Sequence, residues 1–350
     1  MKTGKVRAVT VASTAVLCLL LCFGFAQAQK KVGTTAAPFL GIGVGPRAAA
    51  MGGAGVAAHY DASCLYWNPG ALSRVGLSQF EVGRSQFMVS HAEWFLGTDF
   101  NWAGLMLNMG NLGTMGVSFT QLDYGQERVT YVYEEDTGEE WGAYDLAVGL
   151  SYARNLTSAF SIGGTWKFIQ QRVWNETASG IAFDVGLLFI TDFNNMRLGM
   201  SICNFGSDMQ LDGKDLLQRV DLDPETQGHN ETIVSKLKTD SWPLPLLFRV
   251  GLAYDLVNLE NRRFTVTADA LRPTDNSETL NIGGEFAIND LLFLRGGYKS
   301  LFRQDSYEGL TFGAGFLYDK AQGWSLNVDY AYTSYDVLQD VHIFSLGIGF

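Results

Sequence analysis

The chain is 350 residues long and 47% hydrophobic, with 36 carboxylates against 25 Lys and Arg. That length holds one large or two medium domains, and a net charge of −11 is a poor match for nucleic acid. Only 7 Pro beside 40 Gly exclude a collagen-like or disordered chain, while 23 Phe, 14 Tyr and 8 Trp are the aromatic content of a membrane barrel.

Residues 1–28 have the form of a cleaved secretory signal peptide. Lys2, Lys5 and Arg7 make the charged start, Val9 to Phe25 the apolar core, and Ala26-Gln27-Ala28 the small-x-small cleavage site. Neither Cys18 nor Cys22 follows a small residue, which argues against a lipoprotein signal. Cleavage removes three cations and no acid, taking the net charge from −11 to −14. Such acidity suits the outer surface of a Gram-negative cell, where divalent cations mediate contact with lipopolysaccharide. Of the four cysteines only Cys64 and Cys203 then remain, and both read as small apolar residues rather than a disulfide framework. No later run of 18 apolar residues exists, so no transmembrane helix is expected. A mature chain of this kind enters a membrane only as a closed barrel.

Residues 29–75 lack strand periodicity. Phe39 to Ala58 is a small-residue stretch able to form a short helix between turns; Asp61 or Ser63 can cap a turn, and Asn68-Pro69-Gly70 is a turn signal. Side chains this small allow backbone to pack closely on backbone, as a hatch or plug inside a barrel requires. The candidate residues of that plug are Arg47, Met51, Gly52, Gly53, Asp61, Trp67, Asn68 and Pro69. A phosphate-cradling loop would need a preceding strand and a βαβ unit, and neither is present.

The run Gly45-Pro-Arg47-Ala-Ala-Ala-Met51-Gly52-Gly53-Ala, followed by Asp61-Ala-Ser63-Cys-Leu-Tyr66-Trp67-Asn68-Pro69-Gly70-Ala71-Leu72, resembles the N-terminal signature of the PorV/PorQ family. These are outer-membrane proteins related in fold to the long-chain fatty-acid transporter FadL. Gly70-Ala71 reverses the usual Ala-Gly order, and Cys64 replaces a small residue such as Ala. The resemblance implies a non-catalytic accessory of type IX protein secretion that binds secretion components or the C-terminal domains of cargo, with extracellular loops making the contacts. The FadL relationship implies an alternative: transport of long-chain fatty acids or another hydrophobic small molecule past the hatch.

Residues 76–350 alternate in the manner of tilted membrane strands. The expected fold is all-β, a closed antiparallel transmembrane barrel of about fourteen strands, with strands near 78–88, 99–110, 112–122, 144–155, 158–171, 178–190, 194–204, 245–257, 262–270, 278–287, 291–299, 309–318, 323–334 and 340–350. The first is the weakest pattern, because Arg84 shares a face with Phe80 and Val82. Tight turns at 110–113, 155–158, 192–195, 258–262, 288–291 and 319–323 alternate with mostly longer connections, notably extracellular loops at 123–143 and 205–244. Both ends of the wall then fall on the periplasmic side. The last strand puts Phe344, Leu346, Ile348 and Phe350 on one face and small or polar residues on the other. An open strand of that kind would recruit other chains, whereas one that closes a barrel exposes no edge.

The inward face carries Asp145, Lys167, Asp184, Arg249, Asp269, Glu285, Arg295 and Asp329. Buried charges persist only when paired or hydrated, so these form either a lumen network paired with itself and the plug or a polar path. His59, His91, His229 and His342 share no metal-ligand spacing, and Ser90-His91 lacks a nucleophile elbow, so neither catalysis, metal nor cofactor is indicated. The acidic run Glu134 to Glu140 reads as a solvated hairpin tip, with Ca²⁺ binding as the alternative. The connection at 205–244, ending in Trp242-Pro243-Leu244-Pro245, is long enough for a lid or docking surface, or for a passive cover.

Overall fold

The computed structural model describes residues 32–58, 61–75, 85–133, 137–193, 195–220, 233–303, 306–319 and 323–350. The expected signal peptide and residues 29–31 lie outside them. Fourteen antiparallel strands form the wall: β1 Gln86–Glu93, β2 Asp99–Asn108, β3 Thr114–Arg128, β4 Glu140–Asn155, β5 Phe160–Val173, β6 Glu176–Ile190, β7 Arg197–Gly206, β8 Leu247–Leu259, β9 Arg262–Pro273, β10 Thr279–Ile288, β11 Leu292–Leu301, β12 Leu310–Asp319, β13 Ser325–Thr333 and β14 Val341–Gly349. Each pairs with its neighbours in sequence. The cylinder shuts where β1 meets β14, from Gln86 opposite Gly349 to Glu93 opposite His342.

Period-two alternation runs along the wall and breaks only locally, as at the bulge between β6 and β7. Along β6, Ile181, Phe183, Val185 and Phe189 are exposed while Ala182, Asp184, Gly186 and Leu188 are buried. On the facing β5, Ile162, Trp166 and Phe168 likewise point out. A belt of large exposed apolar side chains is costly in water and stable in lipid, whereas the polar backbone is satisfied strand to strand. Among the described residues no helix is long and apolar enough to cross a membrane.

The expected first strand requires correction. Its described portion, Gln86–Glu93, runs five residues past the expected end at 88, and residues 76–84, where the start was expected, lie outside the description. Phe87 and Val89 point outward and Met88, Ser90 and Ala92 inward, while Phe80, Val82 and Arg84 lie outside the described residues. The connection expected at 123–143 is also shorter, because β3 runs to Arg128 and β4 begins at Glu140. β-structure continues there past a bulge between Asp123 and Gln126. Nor are all the connections at that end long: β5 and β6 are joined by Trp174-Asn175 alone, and height comes from the strands themselves. The connection between β7 and β8 does contain short paired pieces, Leu217–Arg219 with Val234–Lys236 and Met209–Gln210 with Ser241–Trp242.

The segment before the wall forms single turns rather than long helices. Pro38–Gly41 and Pro69–Arg74 are 3₁₀ turns, and Pro46–Ala50 and Cys64–Trp67 are short α-turns, α1 and α2. Three of the four begin with proline, which has no N–H to leave unpaired at a helix start. The turn at Pro69 is capped by Asn68, whose Oδ1 accepts the Gly70 N–H at 3.0 Å.

Placing a cation among the outward apolar residues of the closing strand tests this assignment. Leu346→Arg is expected to lower folding stability by about 2–4 kcal/mol. Urea titration of refolding in lipid vesicles reads that difference, and an unchanged midpoint would contradict a lipid-facing Leu346.

Candidate functional site

The segment Val32–Val75 meets the wall at both ends. At the long-loop end, Thr35 Oγ1 donates to Asp275 Oδ2 at 3.0 Å, Ala36 N–H to Pro243 O at 2.9 Å and Ala37 N–H to Gln171 Oε1 at 2.9 Å. At the short-turn end, Ser73 Oγ donates to Asn155 Oδ1 at 2.8 Å, and the Arg74 guanidinium donates to the carbonyls of Ser158 and Thr157, each at 2.7 Å.

Between those anchors the backbone lies directly on wall glycines. A Cβ on Gly297 would collide with Gly52 N, and one on Gly186 with Asn68 Oδ1. Gly52 itself has φ +70 and faces the carbonyls of Ile282 and Tyr298, so a side chain there fails on both counts. Its N–H donates to Thr311 Oγ1 at 2.9 Å, and that hydroxyl donates on to Ala50 O at 2.8 Å. Met51 is buried, and Gly53, with φ +78, sits beside Asn281 Nδ2. Asn68 Nδ2 bridges Val56 O at 2.8 Å and Leu187 O at 2.9 Å, while Pro69 lies over Gly163. Asp61 Oδ1 accepts the Ser63 N–H at 2.9 Å, and Trp67 Nε1 donates to Val44 O at 2.9 Å. His59, the other half of the local pair with Asp61, falls outside the described residues.

All eight inward charges read from the sequence are buried. The structure brings four cation–carboxylate contacts out of them and Arg47. Arg47 Nη2 meets Glu285 Oε1 at 2.6 Å, Arg295 Nε meets Glu285 Oε2 at 2.8 Å, and Arg295 also meets Asp329. Both guanidinium groups stack on Phe293, 5.2 Å from its centroid. Lys167 Nζ lies 2.6 Å from Asp184 Oδ2 and donates to Asn204 Oδ1 at 2.9 Å. Asp269 Oδ2 accepts the Val56 N–H at 2.8 Å. Asp145 accepts from Tyr124 Oη at 2.9 Å and Gln171 Nε2 at 3.0 Å. Arg249 stacks on Tyr66 and Trp67 at 4.8 and 5.1 Å, and its Nη2 donates to Tyr66 Oη at 3.0 Å. Delocalised, weakly hydrated guanidinium suits such aromatic surroundings better than an ammonium would.

Three further groups escaped sequence reasoning. Arg197 Nη2 meets Asp255 Oδ1 at 2.7 Å, with Asn195 Nδ2 and Thr265 Oγ1 also donating to that carboxylate at 2.8 Å. Both charged residues lie on the inward parity of β7 and β8, a signal that was available. Asn204 carried none: it sits at a bulge opposite Asp184 with φ +63, where the strand alternation breaks. Lys299 with Glu308, at 2.6 Å, joins a strand to a loop.

Cys64 and Cys203 are free and buried, as their reading as small apolar residues requires. Burial pushes the Cys64 thiol up, and the nearby Asp61 carboxylate adds to the shift. Among the described residues no group of three His, Cys, Asp or Glu side chains is placed to hold a metal. Of the acidic run, residues 134–136 lie outside the description, and Glu139 and Glu140 are exposed. Beside the segment lies a cavity of about 70 Å³, lined in part by Tyr66, Trp67, Trp94, Arg249, Lys299 and Tyr335.

Comparison with known proteins adds two findings. The family described as type IX secretion system protein PorV matches residues 25–213. A FadL homologue of Pseudomonas aeruginosa aligns with TM-score 0.51 and 11% identity, covering 88% of this chain and 98% of its own. The toluene transporters TbuX of Ralstonia pickettii and TodX of Pseudomonas putida each align with TM-score 0.52, at 13% and 14% identity, covering 88% of this chain and 97% of theirs. No curated protein matches the chain.

Two outcomes follow from this geometry. Arg47→Ala leaves Glu285 with one fewer charge-assisted bond and is expected to weaken the hold on the N-terminal segment by about 1–3 kcal/mol. Limited proteolysis should then cut between residues 32 and 75 faster than in the wild type. Maleimide should label Cys64 only after denaturation; rapid labelling of the folded protein would contradict its burial.

Proposed function

Because this chain belongs to the family of the type IX secretion system protein PorV, we propose that it is a non-catalytic accessory of that pathway, binding secretion components or the C-terminal domain of secreted cargo. It is an outer-membrane β-barrel of the FadL-like fold, and the long-loop end is taken as extracellular. Lipid and lipopolysaccharide would surround its apolar belt.

The observation that carries the reading is the way the lumen is filled. A segment tied to the wall at both mouths, with its backbone against wall glycines and Arg47 bound to Glu285, supports reading residues 32–75 as a plug. The cavity beside it, of about 70 Å³, is under half of the ~150 Å³ apolar cavity that accepts benzene. A barrel with a stopped lumen works through its outer surfaces. The candidates are the connection 207–246 and the loops beside it, while the buried charges serve to hold the plug.

Uptake of a hydrophobic molecule is the second reading. It draws support from the fold shared with two toluene transporters and from the aromatic lining of the interior cavity. For it to operate, residues 32–75 would have to move as a hatch, breaking the Arg47–Glu285 pair and the Asn68 bridges together.

Affinity capture of the tagged protein from native outer membranes in mild detergent separates the two. Secretion components or cargo C-terminal domains, identified by mass spectrometry, are expected to copurify. A single chain carrying bound fatty acid or another apolar molecule would instead establish transport.

A further inference from the structure

Among the described residues the wall buries four cations, and three of them meet a carboxylate. Lys167, Arg197 and Arg295 lie 2.6, 2.7 and 2.8 Å from Asp184, Asp255 and Glu285. The fourth, Arg249, is only 2% exposed, and among the described residues no carboxylate forms an ion pair with it. Asp184 is taken by Lys167, and Asp269 Oδ2 accepts the Val56 N–H. Arg249 instead stacks on Tyr66 and Trp67, and two of its donors reach Tyr66, Nη1 to the backbone O at 3.3 Å and Nη2 to Oη at 3.0 Å. A guanidinium carries five N–H donors, and the buried Nε of Arg249 has no acceptor among the described residues. Aromatic faces offset part of the cost of burying a charge, but less of it than a counter-charge does.

The space beside Arg249 is selective in sign. The cavity of about 70 Å³ is lined by Arg249, Lys299, Asn281 and Thr333 together with aromatic rings, and no carboxylate lines it. Lys299 is neutralised by Glu308 at 2.6 Å, so the charge left over at the cavity is that of Arg249. Asn281 Oδ1 accepts the Ser300 N–H at 2.8 Å, which leaves its amide donors on the side of Gly53, another lining residue. Uncommitted N–H donors around an unpaired cation are the chemistry of an anion site, and the guanidinium fork suits a planar carboxylate. At ~30 Å³ for each water in the liquid, the cavity has room for about two. That volume takes a very small carboxylate and excludes an acyl chain.

We propose that this cavity binds one small carboxylate anion, of the size of formate or acetate, which accepts from the Arg249 Nε edge and the Asn281 amide. Arg249 and Asn281 stand on β8 and β10, whereas Tyr66, Trp67 and Gly53 belong to the N-terminal segment. The bound anion is therefore a removable tie between segment and wall, beside the permanent pair of Arg47 and Glu285. It holds whether the barrel serves secretion or uptake.

The test uses the full barrel in detergent, with radiolabelled formate as probe in equilibrium dialysis at fixed ionic strength. Saturable binding of a single formate per chain is expected, and saturation should slow proteolytic cleavage between residues 32 and 75 by about threefold. Arg249→Met keeps the side chain's length and removes its charge, whereas Leu271→Phe fills the cavity and leaves Arg249 in place. Each is expected to weaken binding by about tenfold or more, with heat-modifiable migration showing which variants fold. Undiminished binding in either folded variant, or no saturable binding to the wild type, overturns the site. Octanoate displacing formate at a lower concentration than acetate does would also overturn the small anion, in favour of an amphiphile's head group.

Discussion

The structure depends on the ring of backbone hydrogen bonds that closes between Gln86–Glu93 and Val341–Gly349. In hydrocarbon an unpaired amide or carbonyl costs several kcal/mol, and a sheet with two free edges would present a full row of them. Closure removes both edges at once and lets the outward side chains be as apolar as lipid demands. The same closure fixes parity around the cylinder. Every outward residue has a defined inward neighbour, and a one-residue slip at the seam would turn Phe344, Leu346 and Ile348 into the lumen.

Inside, the wall and the N-terminal segment are complementary rather than merely adjacent. Glycines stand where the segment's backbone passes, and charges stand where it can be tied. Arg47, Arg295, Glu285 and Asp329 form one connected set that joins α1 to β10, β11 and β13. Lys167, Asp184 and Asn204 form another, and its place at a bulge joins wall geometry to the 207–246 connection through Asn204 Nδ2 and Pro245 O. Removing one partner from sets of this kind exposes a buried charge, so they act as latches: stable when complete, and costly to open one bond at a time.

Above the membrane belt the rule of closure is relaxed. β3 and β4 stay paired as far as Arg128 and Glu140, beyond the last β2–β3 pair at Asp99 and Asp123, and Glu176 and Thr177 of β6 pair with Gly213 and Asp212. The cost of an unpaired strand end is small where water reaches it and large in lipid, so strands of unequal height are tolerated beyond the belt.

Much of this was readable before any coordinates. Alternation of Phe160, Ile162, Trp166 and Phe168 with Ser161, Gly163, Thr165 and Lys167 determines both strand and facing, because side chains in extended chain point to opposite sides by geometry alone. Eleven of the expected strands fall within three residues of those observed at each end, and the eight inward charges followed from the same parity. Parity is a local property and says nothing about which charges meet. The pairing of Arg47 with Glu285, 238 residues away in sequence, comes from strand order and tilt. Where alternation fails, at the β6–β7 bulge, Asn204 carried no signal. The height of β3 above β2 was equally hidden, since it depends on the strand beside it stopping at Asp99. Period and composition decide what a residue prefers to face; only the closed sheet decides what it finds there.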